Sequence, residues 1–237
     1  MFDSGRLTTN NKGMQMSLDN KMAINTTIVV FGIYKSRSPQ TPTDVDWAIK
    51  SFNRYNFFTN MITLPTDPQP PPLRLTSIQE SCDMSFYPDR LEISFMPSQE
   101  FPVTMLEYII MTAKFSFITK IGVISKIVYY NISKPDEVSV KSKIFSNSYI
   151  KKLETANEWT CKGHRLTLVG SHTLNLGTTI IYGDGQASVK DKSYTGKLIY
   201  FEIDINNIDI RENINPSEML KEMPHLIMSE ISDFERF

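Results

Sequence analysis

Cysteine is scarce in this chain of 237 residues, which contains only Cys82 and Cys161. Two cysteines so far apart in the sequence provide neither a disulfide framework nor the four ligands of a structural zinc site. Histidine is also rare, with three residues in the whole chain. The cysteine usage is typical of a reducing compartment, so we expect a cytoplasmic protein without a metal centre.

The sequence also lacks an excess of charge of either sign. It has 25 lysine and arginine residues against 26 aspartate and glutamate residues, which gives a net charge of −1. Proteins that bind nucleic acids draw much of their affinity from positive charge, so a broad DNA- or RNA-binding surface is not favoured. With 41% hydrophobic and 22% charged residues, the composition predicts a globular chain rather than a disordered one.

Long apolar runs and a leader segment are missing as well. Residues 1–15 have no basic stretch followed by an apolar core, so we expect no secretory signal. The most apolar stretch is residues 101–131, and a membrane span needs about 20 mostly apolar residues. This stretch is interrupted by Glu107, Lys114, Lys120 and Lys126. We therefore expect it to form protein core, with no part of the chain in a membrane.

Residues 101–131 are the most informative part of the sequence, because their periodicity changes halfway. The first part repeats apolar residues at helical spacing, at Leu106, Ile109, Ile110, Ala113 and Phe117. The second part alternates as a strand does, at Ile121, Val123, Ser125, Ile127 and Tyr129. A buried helix over 102–118 that leads directly into a strand predicts an α+β core.

The order of elements in the first half predicts a specific arrangement of that core. Strands at 24–34, at 73–77 and at 86–96, with helices at 44–57 and 102–118 and a final strand, give the order β-α-β-β-α-β. This is the ferredoxin-like order, in which two helices cover one face of an antiparallel sheet. We therefore predict a ferredoxin-like half over 24–137, preceded by an N-terminal hairpin or arm over 1–23.

The second half, residues 138–237, is predicted to be strand-rich and to pack on the first half. A weak helix at 139–156 precedes strands at 158–169, 172–182 and 197–205. The sequence Asn215-Pro216-Ser217-Glu218 has the capping residue and first-turn proline of a helix start, so a C-terminal helix closes the fold. Because Pro224 removes a backbone hydrogen bond, we expect two short helices or a kink there.

No catalytic motif and no cofactor-binding loop are found in the sequence. Glu202 and Asp204 share one face of their strand, as metal-binding or acid–base carboxylates would, but any half-exposed strand has the same alternation. Cys82 lies between Glu80 and Asp83 and has no basic neighbour that would activate its thiol. We expect no catalytic residue, no cofactor and no bound metal.

The strands at 158–169 and 172–182 carry the candidate ligand-binding residues His164, Arg165 and His172. If these strands pair across the Gly170-Ser171 turn, the two histidines approach the same end of the sheet. Arg165 then adds positive charge, and the three side chains are candidates for binding an anion. The alternative is that they are ordinary polar residues near a turn.

The glycine cluster Gly183-Asp184-Gly185 predicts a turn, followed by a basic loop up to Lys197. Loops on a rigid sheet are common contact sites, and a charged rim around an aromatic residue is typical of protein interfaces. The candidate partner-binding residues are Asp184, Lys190, Lys192 and Tyr194. A solvated hairpin tip without function is the alternative interpretation.

Three segments together resemble a sporadically distributed family of uncharacterised bacterial proteins of about 250 residues. They are Lys120-Ile121-Gly122-Val123 through Tyr129-Tyr130-Asn131, the strand Phe201–Ile205, and the closing Ser232-Asp233-Phe234. The resemblance covers the layout of the last 140 residues. It implies an α+β fold and, from the patchy distribution of the family, cargo of mobile elements or of phage defence.

We therefore expect a non-catalytic protein-interaction or accessory subunit, in a bacterial or phage conflict or defence system. The alternative is an RNA-binding protein or a ribonuclease-like enzyme built on a ferredoxin-like sheet, in which Lys126, Tyr129 and Tyr130 would contact nucleic acid. A protein partner is favoured over a nucleic-acid partner. The sequence does not define the oligomeric state.

Overall fold

The computed structural model describes residues 21–35, 42–59, 73–96, 101–145, 150, 156–170, 172–189, 192–208 and 214–236. Nine strands and four α-helices lie in these ranges. The strands are β1 (Lys21–Tyr34), β2 (Phe58–Thr59), β3 (Leu73–Ser77), β4 (Cys82–Phe86), β5 (Arg90–Phe95), β6 (Phe115–Tyr129), β7 (Trp159–Val169), β8 (His172–Val189) and β9 (Lys192–Asn207). The helices are α1 (Pro42–Phe52), α2 (Val103–Thr112), α3 (Lys134–Ile144) and α4 (Pro216–Glu235).

All nine strands form one antiparallel sheet in the order β2-β3-β4-β5-β1-β6-β9-β8-β7. The mixed α+β class is as predicted. The described part of the first half, however, contains six strands. The predicted strand at 86–96 corresponds to β5, whereas β2 and β4 were not predicted. The predicted ferredoxin-like arrangement of this half is therefore not confirmed.

One face of the sheet carries the hydrophobic core. Strands β3, β4 and β5 alternate strictly between buried residues and more exposed ones, as expected when a sheet has one covered face. The buried residues of the central strands include Ile28, Val30, Ile121, Val123, Phe201, Ile203 and Ile205. The predicted inward alternation of the last strand, at 201, 203 and 205, is confirmed.

The helices cover this buried face. The Tyr108 hydroxyl of α2 donates a hydrogen bond to the backbone oxygen of Ser51 in α1, which ties these two helices together. In α4, the ring of Phe234 stacks on Phe201 of β9 at 4.5 Å between centroids. The hydroxyl of Tyr129 in β6 lies 3.0 Å from a carboxylate oxygen of Glu235. Among the described elements no helix contacts the opposite face, which we call the open face.

The helix predicted over 102–118 is shorter than expected. It ends at Thr112, and Lys114 adopts a left-handed conformation (φ 63°) that turns the chain into β6. Leu106, Ile110 and Ala113 are buried as predicted, but Phe117 lies in β6 and is only half-buried, so its assignment to the helix was wrong. Phe115 and Phe117 fit a helical and an alternating pattern equally well, which explains the error.

Other boundaries also differ from the prediction. Helix α3 begins at Lys134, five residues early, because Ser133 and Asp136 form a capping box. Helix α4 is continuous through Pro224, so the prediction of two separate helices was wrong. Its apolar stripe, including Leu220, Met223 and Ile227, is buried, and this tertiary packing outweighs the lost backbone hydrogen bond. The predicted hairpin of the first twenty residues lies outside the described residues.

The centre of the sheet contains a bulge that depends on a glycine. The pairing of β1 with β6 shifts register between Phe31 and Gly32. A Cβ atom at Gly32 would lie 2.4 Å from the backbone oxygen of Phe117, closer than any real contact. Next to this bulge on β6, the backbone N–H of Ile121 donates to the side-chain oxygen of Asn207, and the side-chain amide nitrogen of Asn207 donates to the backbone oxygen of Thr119. These contacts fix the relative register of the three central strands.

Candidate functional site

The segment predicted as a loop at 183–197 is a two-stranded arm. Strand β8 pairs with β7 only as far as Tyr182, and β9 pairs with β6 only from Ile199 onward. Beyond these points, residues 183–189 of β8 and 192–198 of β9 pair with each other and with no other described strand. The prediction of a turn at Gly183-Asp184-Gly185 was therefore wrong, since the strand continues through these glycines to Val189.

The glycines of the arm provide room for neighbouring side chains. A Cβ atom at Gly183 would lie 3.0 Å from Cγ of Glu158, and one at Gly185 would lie 3.0 Å from Cδ1 of Leu198. Both positions are extended strand, where glycine indicates close approach as often as a turn. The glycine cluster thus marks tight packing at the base of the arm.

The candidate partner-binding residues of the arm differ in what the structure shows of them. The carboxylate of Asp184 is exposed and lies 2.8 Å from Nζ of Lys197. Tyr194 is half-buried, and its ring centroid lies 3.9 Å from that of Tyr130, so it packs on the sheet rather than projecting outward. Lys190 lies outside the described residues. Lys192 is the first residue of β9, and the structure describes its backbone but not its side chain.

A polar network holds the base of the arm against α3. Nζ of Lys141 lies 2.5 Å from a carboxylate oxygen of Glu137, and the Lys141 side chain is buried. Nζ of Lys197 also donates to the backbone oxygen of Asn157 at 3.1 Å. The buried ring of Tyr182 stacks on Trp159 and lies within 6 Å of both lysine ammonium groups. A cavity of about 640 Å³ opens beside this network.

The network shifts the pKa values of its members in opposite directions. Burial alone would raise the pKa of Glu137, but hydrogen bonds from Lys141 and Tyr182 and the two lysine charges lower it overall. For Tyr182, burial raises the pKa, and the bond to Glu137 and the charges of Glu137 and Asp184 raise it further. In the sequence, the only local signal of this network is the spacing of Glu137 and Lys141, four residues apart on one helix, and it did not lead to a prediction.

The histidines are not brought together. In the β7–β8 hairpin His164 pairs with Gly177, whereas His172 pairs with Val169 beside the turn. His164 lies on the open face, and its ring lies over Gly177, where a Cβ atom would be 2.9 Å from Nδ1. His172 lies on the helix-covered face, with Nε2 3.8 Å from a carboxylate oxygen of Glu218. His172 shares a face with its cross-strand partner Val169. Val169 is five positions after His164 on β7, and an odd separation along a strand places two side chains on opposite faces.

The side chain of Arg165 lies on the face opposite to that of His164, on the helix-covered side of β7. Its guanidinium forms an ion pair with Glu230 of α4. Burial raises the pKa of Glu230 and nearby Asp233 adds to this, while the charge of Arg165 opposes the shift. The ion pair attaches α4 to the last strand of the sheet, so a structural contact engages this candidate.

The carboxylates of β9 lie on the open face, as their alternation predicted. Glu202 accepts a hydrogen bond from the Tyr200 hydroxyl at 2.9 Å and lies 3.8 Å from Nζ of Lys126. Asp204 accepts one from the Asn206 amide at 3.2 Å. The two carboxylates thus have separate partners. Within the part of the chain that the structure describes, no group of three or more histidine, cysteine, aspartate or glutamate residues is arranged for a metal ion.

The remaining candidate, Cys82, is buried in β4. Burial, with smaller contributions from the charges of Asp83 and Glu80, raises the pKa of its thiol to about 12. Since the thiolate is the reactive form of cysteine, this thiol is unreactive in the folded protein.

The sequence led us to expect no membrane-spanning helix. Over the described ranges, no helix combines the length and the apolar composition that crossing a membrane requires. The longest, α4, has charged residues throughout its length.

Comparisons with known proteins give little further information. The sequence matches no protein-family profile and no curated protein. A solved structure, that of a rolling circle replication initiator protein from Geobacillus stearothermophilus, aligns with 90% of this chain and 84% of its own, at 8% identity and a TM-score of 0.32. At this TM-score the likeness carries no argument about fold or function.

Proposed function

We propose that this protein is a non-catalytic subunit that binds another protein through the β8–β9 arm, residues 183–198. The observation that carries the proposal is the shape of the arm. It extends beyond its neighbouring strands, while Lys197 and Tyr194 fix its base to the rest of the fold. A segment that is both projecting and rigid presents contacts at little cost in conformational entropy, which favours association.

The side chains along the arm support a protein partner. On the side opposite Tyr194, beyond the ion pair of Asp184 with Lys197, the exposed residues are Gln186, Ser188, Ser193 and Thr195, and the two serine oxygens lie 3.2 Å apart. These groups are small and uncharged, and each both donates and accepts hydrogen bonds. Such a surface suits the polar contacts of a protein interface.

The proposal extends to an accessory role in a bacterial or phage conflict or defence system. This part rests on the resemblance of the segments at 120–131, 201–205 and 232–234 to a patchily distributed bacterial family. The arm is compatible with such a role because accessory subunits act by contact rather than by chemistry.

The test compares two single substitutions in the full chain. Gln186→Arg places a long cation in the middle of the exposed face of the arm, and Asn53→Arg makes the same change on an exposed position after α1. Affinity-tagged wild-type protein recovered from native cells should bring down one partner in stoichiometric amount. Gln186→Arg should lose it with an unchanged melting temperature, and Asn53→Arg should keep it. Retention of the partner by Gln186→Arg would exclude the arm.

RNA binding is the second candidate, and the open face is the observation in its favour. No helix covers this face among the described elements, and it carries Lys120, Lys126 and Tyr200. Against it, Glu202 and Asp204 lie on the same face and repel phosphates, and Lys126 is close to Glu202. Saturable RNA binding that weakens steeply with salt and survives Gln186→Arg would favour this alternative over the arm.

A further inference from the structure

Among the described strands, β7 has an unpaired outer edge, and it is much longer than the strand at the opposite edge of the sheet. It is the last strand in the sheet order, and it is 11 residues long, whereas the other edge strand, β2, has only two. Alternate backbone N–H and C=O groups of β7 point away from β8, and no described element pairs with them. An edge of this length is a template for an added strand.

The side chains of β7 on the open face form a pattern with two parts. Lys162 and His164 are exposed in the first part, and Leu166 and Leu168 are 67% and 71% exposed in the second. Leu168 lies in one cross-strand row with Thr173 and with Ile208, which is also exposed (48%). An added strand would cover Leu166 and Leu168, which gives the association a hydrophobic contribution.

The charge of the edge selects among strands. Lys162 is the exposed cation on the open face of this edge, because Arg165 faces the helices and pairs with Glu230. Residues 159–169 and the paired segment 172–182 include no acidic residue. An edge cation disfavours pairing with basic strands, including a second copy of β7. The same cation attracts an acidic strand, because opposite charges directly across a strand pair are stabilising.

From these observations we propose that the β7 edge binds an extended acidic segment of a partner protein by strand addition. The segment runs antiparallel to β7, with acidic side chains opposite Lys162 and His164 and apolar side chains opposite Leu166 and Leu168. The backbone pairing supplies affinity, and the alternating side chains supply specificity. This surface is separate from the arm, so the inference goes beyond the proposed function and does not depend on it.

The test uses a labelled nine-residue peptide, Ile-Thr-Val-Thr-Glu-Thr-Glu-Thr-Thr, designed to pair with residues 168 to 160 in that order. Two matched control peptides replace both glutamates by lysine or methylate alternate backbone nitrogens. Fluorescence anisotropy with the full chain should show saturable binding of the acidic peptide. The lysine peptide should bind several-fold more weakly, since the cross-strand pair with Lys162 changes from attractive to repulsive. The methylated peptide should not bind, because it lacks the backbone donors.

A charge reversal in the chain makes the test specific to this edge. Lys162 is exposed, so Lys162→Glu should fold normally, weaken binding of the acidic peptide and strengthen binding of the lysine peptide. Equal binding of the three peptides, an unchanged preference in Lys162→Glu, or no binding of the acidic peptide would overturn the proposal. Gln186→Arg should bind the acidic peptide as the wild type does, so failure of the arm and failure of the edge are distinguishable.

Two further outcomes would assign the edge to another occupant and overturn the proposal. Analytical ultracentrifugation would reveal a dimer that Leu166→Lys dissociates if a second copy occupied β7. Displacement of the acidic peptide by single-stranded RNA at lower concentration than by unlabelled peptide would indicate a nucleic acid.

Discussion

The two ends of the sheet are built on the same pattern but are covered to different degrees. In β3, β4 and β5 every inward-facing residue is buried, because α1 and α2 lie over them. In β7 only Trp159 is buried, the open face is exposed throughout, and the rest of the helix-covered face is half-buried or exposed. At this end of the sheet, α4 packs on β9 through Phe234 and contacts β7 through the ion pair of Glu230 with Arg165. The covered end is a stable scaffold, and the exposed end is where contacts with other molecules are available.

The largest test of this contrast is a pair of leucine substitutions. Leu106→Ala removes a completely buried side chain from α2 and should lower the free energy of unfolding by about 2–5 kcal/mol. Leu166→Ala removes a side chain that is 67% exposed and should change it by less than about 0.5 kcal/mol. Urea denaturation of both variants measures the difference. A similar loss of unfolding free energy in the two variants would mean that the two ends of the sheet are equally buried by the helices.

A pair of glycine substitutions gives the next largest effect. Gly32→Ala forces a Cβ atom against the backbone of Phe117 in the central bulge and should cost about 1–3 kcal/mol. Gly163→Ala places its Cβ 3.8 Å from Oγ1 of Thr178, an ordinary contact, and should be neutral or slightly stabilising. The two melting temperatures provide the measurement. A stable Gly32→Ala variant would contradict the close approach of β1 and β6.

The smallest effect concerns the junction between α3 and the arm. The pKa of Glu137 is lower in the folded protein than in the unfolded chain, so the ionised carboxylate stabilises the fold. This stabilisation is complete above the pKa of the unfolded chain, about 4.3, and is lost as the pH falls through the lower pKa of the folded protein. Glu137→Gln removes this dependence. The wild type should exceed the variant by about 1–2 kcal/mol near pH 6.

As the pH falls below about 4.3, that advantage should decline. Urea denaturation of both proteins at several pH values tests this, and the other carboxylates cancel in the difference. A constant difference across this range would show that the carboxylate of Glu137 does not hold the junction.

The sequence predicted best the parts of the fold where one periodicity is unambiguous. Leu106, Ile110 and Ala113 follow a helical period and are buried, and Phe201, Ile203 and Ile205 alternate and are buried. Phe117 fits both periods, and only the left-handed turn at Lys114 decides between them. Gly183 and Gly185 were interpreted as a turn because their tight contacts, with Glu158 and Leu198, come from distant or cross-strand residues.

The candidate sites were harder to predict than the fold, because their geometry depends on register. A two-residue turn at Gly170-Ser171 is sufficient to place His164 and His172 on opposite faces, so this separation was contained in the sequence once the turn length was known. The contacts of Lys197 with Asp184 and with Asn157 require the arm to exist, and no local pattern indicated it.

The central position of β1 has a consequence for how the chain reaches this structure. The hydroxyl of Thr27 meets that of Ser94, 67 residues later, and the hydroxyl of Thr26 meets that of Ser125, 99 residues later. At roughly 5–20 residues per second of synthesis, β1 waits about 5–20 s for β6 to be made. Strands β7, β8 and β9 are consecutive hairpins and form as soon as they are made. During synthesis, β1 is therefore the strand most in need of protection by a chaperone.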